Sequence, residues 1–286
     1  MSKKLRIRSL ILFALVAAAL LFGIALTAHP GGEKESIQAV MQDTVLHESS
    51  RIDLFGIMQV NPAVISAYAV TGILLLFAVV IRVFFVPKFK EKPGKLQLLL
   101  EQGVGIFDSL AKTNSPHRNG LLGGYVFTAG AYIFFGTLFE LFGFQAVTTG
   151  GASVSLPAPL ADINGAIGMG VFSYLFIMSG AIREHGVKGI GKALKEFSLP
   201  ISMSFRLFGA LLSGALVTEL VYHYLSLSFV LPVFVGVMFT LLHALIQAYV
   251  LTMLTALFYG EMSEPSVPKA KKEKKAKKTK RIKNKA

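Results

Sequence analysis

Apolar runs long enough to cross a bilayer recur along the chain, with short polar segments between them. Five such runs follow residue 61, at residues 62–86, 121–144, 165–182, 199–222 and 229–259. About 20 predominantly apolar residues are needed for a helix to cross the hydrocarbon core of a membrane. The pattern therefore predicts an all-α integral membrane protein with five transmembrane helices.

The first 28 residues leave two interpretations open. Basic residues occupy several of the first eight positions, and an apolar run from Ser9 to Ala28 follows them. This arrangement is typical of a cleaved signal peptide, and it also fits an uncleaved sixth transmembrane helix. Under either interpretation, residues 29–61 form a mildly acidic external segment.

Basic residues alternate between the connecting segments. The segments after the runs 62–86 and 165–182 are rich in Lys and Arg, whereas residues 145–163 contain none. Because basic loops stay on the cytoplasmic side of a membrane, this alternation fixes one topology. Both ends of the precursor are expected in the cytoplasm, with residues 62–262 as the membrane domain and residues 263–286 as a Lys-rich cytoplasmic tail.

Most of the net charge of +13 lies in that tail. Residues 269–286 contain eleven Lys or Arg and one Glu, so they supply +10 of it. A charge run of this kind predicts a solvated segment. Since the tail is tethered to a membrane, we expect it to contact anionic lipid headgroups and not nucleic acid.

The sequence offers little for catalysis or for metal binding. It contains 0 cysteines, which excludes disulfides and thiolate metal sites. The 6 histidines do not occur at metal-ligand spacing, and neither a nucleophile–base–acid set nor a Gly-rich phosphate loop stands out. We therefore expect no metal, no cofactor and no enzymatic activity of the chain itself.

The last apolar run is longer than a membrane requires. A helix over residues 229–259 would measure roughly 46 Å, against about 30 Å of hydrocarbon. Such a helix must tilt or kink. The short connection Leu225–Ser228 predicts that it forms a long hairpin with the run 199–222.

One charge stands inside the run 199–222. Arg206 has apolar residues on both sides, and a guanidinium stays protonated under nearly all protein conditions. Placing it in the middle of a membrane costs about 2.5 kcal/mol or several times more. Snorkelling to an interface would reduce this cost, but the central position in the run favours a functional charge.

The residues around Arg206 resemble a known family, subunit a of F-type ATP synthases. The resemblance rests first on Arg206-Leu-Phe-Gly209 with Ser213 and Gly214 after it, and on Leu245-Ile-Gln-Ala-Tyr-Val-Leu-Thr-Met-Leu-Thr-Ala-Leu257. Further matches follow the same order along the chain: Pro93-Gly-Lys-Leu-Gln97, Phe139-Glu-Leu141, Ala161-Asp-Ile-Asn164 and Val187-Lys-Gly-Ile190. Together they cover roughly residues 50–262.

The resemblance implies a non-catalytic, multi-pass ion-channel subunit in a bacterial inner (plasma) membrane. Its implied partners are the ring of c subunits, the b-subunit stator stalk, other ATP synthase subunits and membrane lipid. Ions, H⁺ or Na⁺, would reach and leave the ring through two half-channels, with Arg206 as the essential charge. A fixed cation lowers the pKa of a carboxylate that approaches it, and it repels ions that would leak directly between the half-channels.

Two polar residues of the last run are candidates for ion translocation. Gln247 matches the family's glutamine and is expected to face Arg206, although packing against a neighbouring helix would also explain it. His243 lies four residues earlier, on the same helical face. The family's usual partner position corresponds to Thr240, so the claim of His243 is weaker.

The chain departs from the family at two positions near the arginine. Ala210 stands where an Asn often follows Arg-Leu-Phe-Gly, and Ala215 stands where the family often has an acid or His. Glu219 lies one turn beyond Ala215 on the same face, about 20 Å along the helix from Arg206. Glu219 is therefore the candidate for the outer half-channel, and an interfacial acid beside His223 is the alternative.

Three polar residues flank the segment without basic residues: Glu140, Asp162 and Asn164. By the resemblance they could line the entrance of the outer half-channel. The alternatives are an N-cap role for Asp162 and a plain surface position for Glu140.

A secondary transporter, in which Arg206 binds an anionic substrate, is the alternative function. Transporters of that kind tend to contain inverted repeats and paired broken helices. The apolar runs of this sequence form no such repeat.

Overall fold

The computed structural model describes residues 52–54, 58–117, 119–147, 153–223 and 231–265. Among them, five helical segments are long and apolar enough to cross a membrane: Pro62–Lys88, Gly120–Phe142, Ile163–His185, Ser198–Thr218 and Val233–Met262. They coincide with the five predicted runs, so the all-α membrane fold is confirmed. The interpretations of residues 1–28 and of the basic tail concern positions outside the described residues.

The elements follow in chain order. A hairpin of β1 (Ile52–Leu54) and β2 (Met58–Val60) precedes α1 (Pro62–Val80), which continues into a π-helical turn (Ile81–Phe85) and a 3-10 turn (Val86–Lys88). Next come α2 (Lys95–Asn114), α3 (Gly120–Phe139), a 3-10 turn (Glu140–Phe142), and a hairpin of β3 (Gln145–Val147) and β4 (Ser153–Ser155). The remaining helices are α4 (Ile163–His185), α5 (Val187–Leu194), α6 (Ser198–His223) and α7 (Leu231–Met262). Both hairpins are antiparallel, with Ile52 opposite Val60 and Gln145 opposite Ser155.

Two of the helices and both hairpins were not predicted from the apolar runs. The two basic segments, which the apolar runs predict to be loops, contain the helices α2 and α5, and the segments predicted to be external contain the two short hairpins. In α2 the buried Ala111 and the half-buried Phe107 share one side, while Asp108 and Lys112 form a 2.6 Å salt bridge at the surface. This 3.6-residue periodicity is the signal for an amphipathic helix, and a search for long apolar runs overlooks it.

The packed chain divides into two units. The first comprises Met1–Lys88, Gly130–Gly168 and Met203–Tyr249, and the second comprises Phe89–Ala129, Met169–Ser202 and Val250–Ala286. The helices α3, α4, α6 and α7 each contribute residues to both units. Each unit has buried apolar side chains of its own.

In the first unit, α1 and α3 pack against the residues of the β3–β4 hairpin. Val70, Phe139 and Leu156 form a small core in which each side chain is at most 8% exposed, and Ile65 and Tyr132 pack against it. Val70 belongs to α1, Phe139 to α3 and Leu156 follows β4, while Ala146 of β3 packs against them, so this cluster joins the two helices to the β3–β4 hairpin.

Pro159 lies where α3 and α4 approach each other in the first unit. A methyl group added to Gly136 would stand 3.7 Å from the Pro159 ring, and one added to Gly165 would stand 2.5 Å from its carbonyl oxygen. Glycine at position 165 is therefore required for the backbone of residue 159 to reach α4.

In the second unit, an aromatic column joins α3, α4 and α7. Tyr259 is 0% exposed, and its ring stacks on Phe176 with the ring centroids 5.1 Å apart. Phe176 stacks in turn on Tyr125, at 4.0 Å. The Tyr259 ring also lies against Gly180, where a methyl group would come within 2.6 Å of it.

A sharp reversal separates α4 from α5. Gly186 has a φ of 59°, a left-handed conformation that glycine adopts at little cost. The hydroxyl of Tyr174 then donates a 2.9 Å hydrogen bond to the carbonyl oxygen of Ala193. The short helix α5 therefore folds back along α4.

The aromatic column predicts a difference between two glycines of α4. Gly180→Ala should destabilise the protein by about 1–3 kcal/mol, because the methyl group overpacks a buried ring. Gly168 faces open space, so Gly168→Ala should be neutral or stabilising by up to about 1 kcal/mol through helix propensity. The measurement is the thermal unfolding midpoint of the purified protein in detergent, and equal midpoints for the two variants would contradict the packing.

Candidate functional site

The helix that carries the arginine has a buried side and an exposed side. Met203, Leu207 and Leu211 repeat every four residues and are at most 6% exposed. The other side carries small residues and the charge: Ser202, Arg206, Gly209 and Ser213 are all exposed. The chain covers one side of α6 with its own residues and leaves the other side open.

Arg206 lies on this open side, within the membrane span Ser198–Thr218. Its guanidinium forms neither a salt bridge nor a hydrogen bond with any other residue in the described part of the chain. An unpaired charge at membrane depth is costly unless a partner or water meets it. The open side of α6 therefore requires a polar or charged surface against it.

Gln247 lies on the buried side of α7. It is 6% exposed, and its amide oxygen has no hydrogen-bond partner among the described residues. Leaving a buried acceptor unpaired costs about 1–3 kcal/mol. The oxygen does not accept a hydrogen bond from Arg206, and the expectation that Gln247 faces Arg206 stays a prediction.

The helices α6 and α7 meet at Gly214 and His243. A methyl group added to Gly214 would lie 3.5 Å from Nδ1 of His243, so the imidazole ring rests against α6 where a small residue leaves room. The ring of Phe239 lies 5.8 Å from that of His243, centroid to centroid. His243 thus reaches α6 beside Ala215. At that position the resemblance leads one to expect an acid or a His, and this chain has an alanine.

The same contact indicates which residues of α6 and α7 lie at one level. The short connection between the helices predicts that they run antiparallel. A residue four positions later on α7 therefore lies at the level of a residue four positions earlier on α6. Starting from Gly214 and His243, we expect Gln247 at the level of Ala210. Because an alanine side chain cannot donate a hydrogen bond, it offers nothing to the unpaired oxygen of Gln247.

Glu219 belongs to α6 by position, but its side chain lies outside the described residues, as does that of His223. Its place in the outer half-channel, and the alternative of a pair with His223, stay predictions. The connecting residues 224–230 are likewise outside the described part of the chain.

Asp162 acts as an N-cap of α4. One carboxylate oxygen accepts hydrogen bonds from the backbone N–H groups of Asn164 and Gly165, at 3.0 and 3.2 Å. The other oxygen accepts a 2.9 Å hydrogen bond from the side-chain amide of Asn61. Both oxygens are therefore engaged in structure, and a role of Asp162 at a channel entrance stays a prediction.

Asn61 is a residue that the sequence analysis missed. Its side-chain oxygen accepts a 2.9 Å hydrogen bond from the N–H of Ala63 and so caps α1, while its amide group reaches Asp162. The beginnings of α1 and α4 are thus tied together by one Asn–Asp pair. The signal was present as an Asn directly before a Pro at the first helical position, which is typical of a helix start.

The other two candidates for an outer entrance occupy different environments. Asn164 is exposed in the first turn of α4, whereas Glu140 is half-buried and begins the 3-10 turn after α3. The described structure contains no contact that brings these two side chains together with Asp162 into one site. No group of His, Asp and Glu in the described residues is arranged to hold a metal ion.

Known proteins resemble the chain over the same region that contains these sites. The family model "ATP synthase A chain" matches residues 67–260, which is more than half of the chain. ATP synthase subunit a of Cereibacter sphaeroides (strain ATCC 17025) is 25% identical over 178 residues, 58% of this chain and 68% of the relative. ATP synthase subunit a of Actinobacillus pleuropneumoniae serotype 3 (strain JL03) is 26% identical over 200 residues, covering 58% and 75%.

A third relative, ATP synthase subunit a of Histophilus somni (strain 2336), is 27% identical over 203 residues. The match again covers 58% of this chain and 75% of the relative. The matched region includes all five membrane spans in part or in full. By this match and by its fold, the chain belongs to the family of F-type ATP synthase subunit a.

Proposed function

We propose that the chain carries ions, in the first instance protons, through two half-channels to and from a ring of c subunits, with Arg206 as the essential charge. The observation that carries this proposal is the exposed guanidinium on the open side of a membrane-spanning helix, which has no salt bridge among the described residues. An intramembrane arginine alone would also fit a transporter of anionic substrates. Family membership favours the ion-channel function over that alternative.

The chemistry follows from the charge of Arg206 and from its exposure. A carboxylate on the ring that reaches the open side of α6 meets a fixed cation in a medium of low dielectric. The cation lowers the pKa of that carboxylate, so the carboxylate releases its proton there. Because no described residue of its own chain neutralises the guanidinium, the full charge is available to the ring. The same charge repels protons that would pass directly between the half-channels.

The outer path is proposed to run along the interface of α6 and α7. His243 lies at the α6 surface beside Gly214, and Glu219 follows on α6 at a position further from Arg206. Gln247 contributes a buried oxygen that has no hydrogen-bond partner among the described residues, and this oxygen can hold a water molecule or a protonated group. Asp162, Asn164 and Glu140 are proposed for the entrance.

The proposed setting follows from family membership and from the five membrane spans. The chain acts as a non-catalytic stator subunit in a bacterial inner membrane, and it assembles with the c-ring, the b-subunit stalk and the other subunits of an ATP synthase. Nucleotide chemistry takes place in those other subunits.

Removing the charge tests the proposal. Arg206→Ala should abolish proton-driven ATP synthesis and leave ATP hydrolysis by the soluble subunits largely intact. Arg206→Lys should also fail, because an ammonium is a compact point charge that can lose its proton when buried, whereas the planar guanidinium cannot. The measurement is ATP synthesis in inverted membrane vesicles at a fixed driving force.

A second arginine provides the control for this experiment. Arg183 is exposed in the last turn of α4, and Arg183→Ala should synthesise ATP at close to the parental rate. Near-parental synthesis by assembled Arg206→Ala enzyme would remove Arg206 from the mechanism.

Glu219 is expected to supply the relay that Ala215 cannot. Glu219→Gln should slow proton-driven synthesis about tenfold or more, equivalent to about 1.4 kcal/mol. The double variant Ala215→Glu with Glu219→Ala should recover part of the rate, since it places a carboxylate one turn away on the same face. If correctly assembled Glu219→Gln enzyme runs at the parental rate, the relay does not pass through Glu219.

The Gly214–His243 contact gives a separate test of His243. Gly214→Leu should displace the imidazole and slow synthesis about tenfold, whereas Gly214→Ala should be tolerated because its methyl group meets Nδ1 at an ordinary contact distance of 3.5 Å. In a His243→Ala background, Gly214→Leu should cause little further loss, since the two changes act through one contact. Losses that multiply in the double variant would show that Gly214 acts independently of His243.

A further inference from the structure

The last turn of α7 is held by side chains and backbone from three other helices, and all of these contacts lie within the second unit. They involve Lys192 of α5, His117 after α2, the backbone of Asn114, and Gly180 of α4. None of these residues takes part in the proposed translocation site. Their concentration on one helix end indicates a dedicated anchor.

Lys192 supplies the charged part of this anchor. Its Nζ atom donates a 2.7 Å hydrogen bond to the carbonyl oxygen of Glu261 and lies 3.4 Å from that of Met262. The last carbonyl groups of a helix have no partner within the helix. A cation at this end also interacts favourably with the helix dipole, so Lys192 satisfies the end of α7 in two ways.

Ser263 and His117 form a second contact at the same end. The hydroxyl of Ser263 donates a 2.6 Å hydrogen bond to the carbonyl oxygen of Tyr259, and this hydroxyl oxygen of Ser263 lies 3.1 Å from Nε2 of His117. Ser263 is 0% exposed. The residue that follows α7 is therefore fixed between its own helix and the segment after α2.

Two glycines fix the rotation of α7 about its axis. A methyl group added to Gly260 would collide with the backbone carbonyl of Asn114, and one added to Gly180 would collide with the ring of Tyr259. Such close approaches exist in one rotational setting only. Turning α7 by a single residue, which is about 100°, would replace Gly260 with a larger side chain against the Asn114 carbonyl and would move the Tyr259 ring away from Gly180.

We propose that this anchor, with Lys192 as its charged member, sets the axial position and rotation of α7, the helix that carries Gln247 and His243. The inference rests on the proposed function. Gln247 lies on the same continuous helix, about 21 Å before Glu261 at 1.5 Å per residue. A slip of one residue at the anchored end would shift Gln247 by about 1.5 Å along the axis and turn it away from its neighbours.

The position of the anchor in the sequence supports this role. The basic tail begins at Lys269, only a few residues after Ser263. Forces on that highly charged segment, from lipid headgroups or from partner subunits, would act directly on α7 if its end were free. The anchor lies between the tail and the part of the helix that carries Gln247.

The test compares three variants of the complete, assembled enzyme. Lys192→Met retains the length and apolar stem of the side chain and removes the charge and the hydrogen bonds. Lys192→Arg retains a cationic donor and serves as the rescue. Lys188→Met makes the same change at an exposed lysine one turn earlier on α5, and serves as the matched control.

Hydrogen–deuterium exchange of the backbone amides of residues 257–263 reports the anchor directly and does not depend on ion flow. Lys192→Met should raise the exchange rate there about fivefold, which corresponds to about 1 kcal/mol. Lys192→Arg and Lys188→Met should exchange at close to the parental rate. Unchanged exchange in Lys192→Met would overturn the anchor.

Proton-driven ATP synthesis per assembled complex reports positioning. Lys192→Met should lose at least threefold in rate, with recovery in Lys192→Arg and no loss in Lys188→Met. Faster exchange together with a parental rate of synthesis would overturn the positioning role, because the helix end would then be loosened without consequence for the site. Failure of the proposed function would appear differently, as coupled synthesis by Arg206→Ala enzyme, and it would leave the exchange result unaffected.

Discussion

A permanently charged guanidinium on a membrane-spanning helix is the constraint on which the other features depend. Hydrocarbon cannot solvate Arg206, so the open side of α6 needs a polar or charged surface against it. Gly209 and Ser213 are small and lie on that side, so such a surface can approach closely. The opposite side of α6, with Met203 and Leu207, is buried, which leaves the charged side exposed.

The helix ends impose a second constraint, because N–H and C=O groups that lack a hydrogen bond there cost free energy near a membrane. Asn61 and Asp162 cap α1 and α4 and bind each other. Lys192 meets the last carbonyl groups of α7 at its C-terminal end. In each case a polar side chain both satisfies a helix terminus and ties it to another helix, which gives long membrane helices defined relative positions within each unit.

Much of this architecture could be predicted from the sequence. The five spans follow directly from apolar runs, and Arg206 was identified because a lone charge in such a run is rare. The helices α2 and α5 were missed because their periodic pattern is embedded in basic segments. The capping role of Asp162 was one of two open interpretations, and its partner Asn61 was not foreseen, because a hydrogen bond between residues far apart in sequence leaves no local signal. The same holds for the contact of His243 with Gly214, which depends on how α6 and α7 pack.

Central to the proposed function is the contact of the open side of α6 with a c-ring. The chain contains 0 cysteines, so single cysteines can report this contact by disulfide formation with a cysteine placed on the ion-binding helix of a co-expressed c subunit. Ser202→Cys and Ser213→Cys lie on the open side, and Ser204→Cys, at a position that is 5% exposed, is the buried control. We expect cross-linked product for positions 202 and 213 and none for 204. Cross-linking at 204 alone, or at none of the three positions in enzyme that synthesises ATP, would contradict the proposed contact.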